Sequence, residues 1–234
     1  MSANADLLNR SDLIDTLPPE MESPRIEPCG ANKWNLNDFA SEQIRGLVRR
    51  VFFGHGASQV KQVVFSAADR HIDIAAICEQ VGRTLAAETR ADVAIVCRER
   101  QGARMPLQVP PRDKSEVKSR STQTEINLWR VPEFEARESG EEAGTARYWL
   151  SCLAELRNEF DYAVIHGPAA GISGEAALLG RMADGIVLVL AAHSTRRAAA
   201  RKIKETLVAA ESRILGTVLS DRTFPIPERI YRRL

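Results

Sequence analysis

The residues whose types and spacing could do chemistry lie in the run QVVFSAADRHIDIAAICEQVG, from Gln62 to Gly82. Residues 63–65 are β-branched and aromatic, the composition of a buried strand. Ile77, Val81 and Leu85 recur every four residues and make one face of a helix. The loop between such a strand and helix is where nucleotide-binding α/β proteins hold phosphate. That chemistry needs glycines, so that backbone N–H groups can wrap the anion, and a lysine to reach the outer phosphates. The stretch 66–76 has neither. The setting is that of a phosphate site, and the phosphate ligands are missing.

The surrounding elements follow from periodicity. Residues 37–53 read as a helix capped by Asn37 or Asp38. Phe39, Ile44, Leu47, Val48 and Val51 form its apolar stripe, and Gly54-His55-Gly56 ends it, since glycine tolerates the left-handed C-cap conformation. Strands are predicted at 60–65, 93–97, 125–131, 162–166, 185–191 and 214–219. Helices are predicted at 74–88, 146–160, 173–182 and 195–210. Trp149, Leu150, Leu153 and Leu156 of the 146–160 helix are expected to face inward. Strands alternating with helices argue for an α/β protein, a mainly parallel sheet with helices on both faces. Ligands in such sheets lie at the carboxyl ends of strands. Those ends fall at 66–73, 97–100, 166–170 and 192–195.

That topology should bring Cys97, His166 and His71 together, with Glu99 close by. Cys and His are zinc ligands, but the sequence has no paired metal-ligand spacing, so no metal is expected. The plainer reading is a site refilled with small and uncharged residues. The four cysteines, at 29, 78, 97 and 152, show no paired spacing and suit a reducing compartment. No apolar run is long enough to span a bilayer, and the N-terminus lacks a signal-peptide core. The expectation is a cytoplasmic protein. Four prolines mark residues 1–33 as a tail, leaving one domain over 34–234 with a flexible loop at 101–122. With 32 Lys and Arg against 31 Asp and Glu, the net charge is +1. No overall field draws nucleic acid. Arg196, Arg197, Arg201, Lys202 and Lys204 nevertheless crowd a helix start, where cations oppose the helix dipole. They are either a solvated face or placed for a partner. Lone histidines at 55 and 193 read as surface residues.

Taken in order, these segments resemble the cytoplasmic domain of the bacterial tyrosine autokinases of polysaccharide export, relatives of the MinD/ParA P-loop ATPases. EQIRGLVRRVFF is similar to the family's EAFRTLRTNLLF helix. The run VVFSAADRHIDIAAICEQVG sits at the family's strand and Walker A loop, and VAIVCRERQGARMP at VLLIDADLRRP. LRNEFDYAVIHGPAA, ADGIVLVLAAHSTRRAA and ILGTVLSDR resemble LxxxFDYVIIDTPP, VDGVVLVVRAGxTRREA and VLGVVLNR. The resemblance runs from about Phe39 to Leu234 and implies a three-layer P-loop NTPase-like fold.

The resemblance also implies ATP and Mg²⁺ as ligands, yet the chain departs from the family where these would bind. The loop positions are Arg70, His71, Ile72, Asp73, Ile74 and Ala75. Asp73 or Ile74 stands for the lysine, and Ile74 or Ala75 for the metal-binding hydroxyl residue. Cys97 and Glu99 replace the two aspartates after the second strand, and His166 replaces the Walker B aspartate. Phosphoryl transfer rests almost wholly on electrostatic positioning, so no cofactor and no kinase activity are expected. Of the family's oligomer motif Glu-x-x-Arg-x-x-Arg, Glu42 and Arg45 match, while Arg49 comes one residue late. The phosphorylated tyrosine-rich tail is reduced to Tyr231. The expected role is an inactive interaction or regulatory subunit in capsular or exopolysaccharide synthesis. Its partner would be an intact tyrosine kinase or a membrane chain-length regulator, with membrane contact through that partner. Homo-oligomers follow from the partial motif. An active kinase with an unorthodox loop, and a ParA-like DNA-binding or positioning protein, are the alternatives.

Overall fold

The computed structural model describes residues 36–54, 59–97, 117–132 and 146–221. The 1–33 tail, most of the 101–122 loop, Trp34, His55, Glu99 and Tyr231 lie outside the described residues.

Seven strands form one sheet. They are β1 (Gln62–Ala67), β2 (Val93–Cys97), β3 (Thr122–Glu125), β4 (Leu128–Pro132), β5 (Tyr162–His166), β6 (Gly185–Ala191) and β7 (Ile214–Ser220). Their spatial order is β3-β4-β2-β5-β1-β6-β7. All pairs are parallel except β3 with β4. β1 is an interior strand, with Val64 opposite Ile165 on one side and Ile186 on the other. All six of its residues are buried, because a parallel strand covered on both faces leaves no side for water.

The helices are α1 (Leu36–Val48), α2 (Ile74–Thr89), α3 (Val117–Arg120), α4 (Ala146–Glu159), α5 (Glu175–Met182) and α6 (Arg197–Ala209). The crossover from β1 through α2 to β2 moves one way along the sheet, while those through α4, α5 and α6 move the other. Right-handed connections then put α2 on one face and α4, α5 and α6 on the opposite one. α1 packs on α2, and α5 on both α4 and α6. Close helix–strand approach is enforced at Gly82, where a Cβ would stand 2.5 Å from Ile95 Cδ1.

Several local expectations are corrected. α1 begins at Leu36, so Asn37 and Asp38 sit inside its first turn and do not cap it. After Val48 the chain continues as a π-helical turn, Arg49–Phe53. Gly54 follows in a right-handed conformation at φ −83°; His55 and Gly56 of the expected glycine stop lie outside the described residues. The predicted strand 125–131 is two strands, folded back at Ile126 and Asn127, with Asn127 at φ 60°. Asparagine tolerates that left-handed geometry better than most residues. In α4 the inward face is Trp149, Cys152, Leu153 and Leu156, at i, i+3, i+4 and i+7, while Leu150 is 54% exposed. One helical step rotates Leu150 off that face.

Candidate functional site

Where β1 ends, the chain bonds to itself. The Ala68 N–H donates to the Val189 carbonyl (2.9 Å), and the Ala67 carbonyl accepts from the Ala170 N–H (2.8 Å). The Phe65 carbonyl takes the Gly167 N–H (2.8 Å), and Ser66 Oγ donates to the Pro168 carbonyl (2.5 Å). The loop after β5 therefore lies directly on the loop after β1. Gly171 makes that approach feasible, since a Cβ there would stand 2.2 Å from the Ala68 carbonyl oxygen.

The next residues complete the self-contained loop. Asp69 Oδ1 accepts the His71 N–H at 3.0 Å. Asp73 is the N-cap of α2 in an extended conformation, its Oδ1 accepting the Ala75 N–H at 3.1 Å. Ile72 and Ile74 are buried, whereas Arg70, His71 and Asp73 are exposed. The N-terminus of a helix is where backbone donors and the dipole favour an anion. Here a carboxylate of the chain already sits at it. Asp73, one of the two residues expected at the lysine position, serves as a helix cap. Ile74 lies in the core and Ala75 is the cap's donor.

Cys97 and His166 are the last residues of neighbouring strands β2 and β5, both half-buried. With the β1 loop they share the carboxyl edge of the sheet, because β2, β5 and β1 are adjacent. Burial pushes the Cys97 thiol up; Arg130 opposes this and Glu79 adds to it. Burial pushes Cys78 up further, with Cys97, Glu79 and Asp73 adding to it. Neither sulfur is then a thiolate at neutral pH, the form that ligates metal or attacks. Among the described residues no group of three or more His, Cys, Asp or Glu is placed to hold a metal ion. Glu99 falls outside them.

Glu42, Arg45 and Arg49 are engaged within the chain. Arg45 reaches Glu42 (2.7 Å) and Glu88 of α2 (3.4 Å), and Arg49 reaches the same Glu88 oxygen (3.5 Å). Beyond them the π turn buries Phe52 and leaves Phe53 49% exposed. Both rings meet Tyr162 edge-on, at 5.8 and 6.3 Å between centroids.

No family model matches the chain. Tyrosine-protein kinase CpsD of Streptococcus agalactiae is 33% identical over 73 residues, 31% of this chain and 32% of the relative. The fold is that of the BceF tyrosine kinase domain, with a TM-score of 0.61 at 16% identity over 77% of this chain and 76% of the other. The chain is thus similar in sequence to CpsD over about a third of its length and shares the fold of bacterial tyrosine kinase domains. The MinD cell division protein of Aquifex aeolicus shares the fold more distantly, at TM-score 0.54 and 14% identity over 74% of each chain. The sequence match spans about a third of the length of the curated relatives. Among the described residues, no helix is long and apolar enough to cross a membrane.

Residues 66–73 and 166–170 were expected at the ligand edge, but not the direct bonds between the two loops. The glycines at 167 and 171, two in five residues after an apolar strand, were the available signal for close backbone approach.

Proposed function

We propose that the chain is a catalytically inactive member of the CpsD-like tyrosine kinases, with a degenerate Walker A loop. It acts as an interaction or regulatory subunit in capsular or exopolysaccharide synthesis. One observation carries this reading: the Asp73 carboxylate caps α2 where a phosphate would be received, between the buried side chains of Ile72 and Ile74. A carboxylate there repels a phosphate, and no lysine offsets it. Losing a single transition-state donor elsewhere costs about a hundredfold or more in rate. This site lacks the loop lysine, the hydroxyl ligand and the Walker B carboxylate together. The retained frame supports binding to an intact tyrosine kinase or to a membrane chain-length regulator, with α1 and the π turn as contact elements.

Titration with Mg·ATP tests the reading. No binding in the millimolar range is expected; micromolar affinity with phosphotransfer to tyrosine would restore the active-kinase alternative, which the likeness to CpsD favours. Pull-down of purified kinase and chain-length regulator on the immobilised chain tests the second half, with retention of neither as the contrary result.

A further inference from the structure

One charged surface is unused by that reading. α6 buries only Ile203 and Leu207. Arg197, Arg201, Lys204 and Val208 stand at i, i+4, i+7 and i+11 on its outer side, one stripe about 16 Å long at the α-helical rise. All four are exposed, as are Arg196 and Lys202, and Val208 is 57% so. The first turn has no acidic residue, and Arg196 at the N-cap makes no side-chain capping bond. Arg201 pairs with Glu205 at 3.0 Å. Arg196, Arg197, Lys202 and Lys204 have no acidic partner among the described residues.

Cations at a helix N-terminus are disfavoured by the dipole and by one another. Folding gains nothing from this placement; an anionic partner would relieve it. From this charge complementarity and the shape of the surface we infer that the outer face of α6 docks on an anionic lipid bilayer. The face is convex and linear, and Arg197, Arg201 and Lys204 can approach one plane. Peptide recognition instead uses pockets for anchoring side chains. The two clefts described, lined in part by Lys61 and Tyr162 and by Ala86 and Ile126, lie at the amino edge of the sheet, away from the start of α6. Clusters of several Lys and Arg on a helix suit phosphatidylserine-rich surfaces. Exposed Val208 adds a small apolar contact at the end of the stripe. The contact is direct and does not depend on the kinase-like site being inactive.

Cosedimentation of the full chain with phosphatidylcholine vesicles, with and without phosphatidylserine, tests this. Binding is expected only with phosphatidylserine, and raising salt abolishes it as the screening length shrinks. Each cation removed weakens partitioning by about fivefold, so Arg197→Ala with Lys204→Ala weakens it by about thirtyfold. These positions are exposed, and an unchanged circular dichroism spectrum and melting temperature confirm that the variant folds. Equal binding to neutral vesicles, or full binding by the double variant, overturns the inference. So does tighter, equally salt-sensitive binding to duplex DNA or polyglutamate than to the vesicles.

Discussion

The two ends of β1 solve one problem in different ways. At both, backbone N–H groups are satisfied by aspartates of the chain. At the amino end, Asp184 Oδ2 accepts from the Lys61 and Gln62 amides (2.7 and 2.8 Å), residues more than 120 positions away. Arg157 donates to the other Asp184 oxygen at 2.7 Å, and the buried Gln62 amide bonds the Leu153 carbonyl at 2.7 Å. At the carboxyl end, Asp69 and Asp73 reach only two residues along the chain. One end is tertiary cement joining β1, α4 and the start of β6. The other is also tied to β6 and the β5 loop, but its aspartates close only local turns, at the edge where α/β proteins place ligands. One aspartate bridges distant parts of the sheet, and the other two satisfy donors of their own loop.

The largest test of this contrast is Asp184→Ala. It strips two backbone donors and a guanidinium of their acceptor and should cost about 3 kcal/mol, because unpaired polar groups at a half-buried site carry their desolvation penalty. For a domain of this size that lowers the melting temperature by about 6–12 °C. The same residue sets an acid dependence. Burial disfavours its charged form, but Arg157 and the Gln62 and Lys61 amides outweigh this and hold the carboxyl below its ordinary value of 3.8. Its contribution is complete above that value and lost as pH falls through the lower folded one. Asp184→Asn should flatten the corresponding limb of a stability-against-pH profile, and an unaltered limb would contradict the assignment.

Gly171→Ala comes next. The added methyl meets a backbone oxygen that cannot swing away, so the two loops must part at a cost of about 2 kcal/mol. Urea denaturation measures it; wild-type stability would show that the loops are not in register. Asp73→Ala removes a cap and should cost about 1 kcal/mol, while Asp73→Ser restores most of it. Neither variant should bind Mg·ATP, since no lysine is gained. The smallest effect is expected from Arg49→Ala, under about 0.5 kcal/mol, because the pair with Glu88 is largely exposed. A shift in sedimentation velocity for that variant would instead mark α1 as an oligomer contact.

Strands β2, β5 and β6 were readable to the residue, because unbroken apolar runs ending in turn residues admit few other readings. The three-layer order followed from their alternation with helices. The hairpin of β3 and β4 was hidden, since the exposed residues TQTE carry no apolar alternation and the turn is marked only by Asn127. That the β1 loop lacks glycine and lysine is read directly from residues 66–76. Asp73 or Ile74 was put at the lysine's place, although an aspartate just before an apolar periodicity is itself a cap signal. The Asp184 clamp was out of reach of sequence reasoning, because its partners meet only once the sheet is assembled.

The placement of β1 has a consequence for biosynthesis. Its neighbours begin at Tyr162 and Gly185, so a ribosome makes the middle strand about a hundred residues before either of its flanks. Until residue 166 has emerged, this largely apolar six-residue segment waits with both hydrogen-bonding edges open, and one edge stays open until residue 191. Such long-range pairing is slow, and open edges invite association with other chains. Chains stalled before β6 should therefore occupy chaperones or aggregate, and the last third of the sequence acts as the clasp that makes the first strand safe.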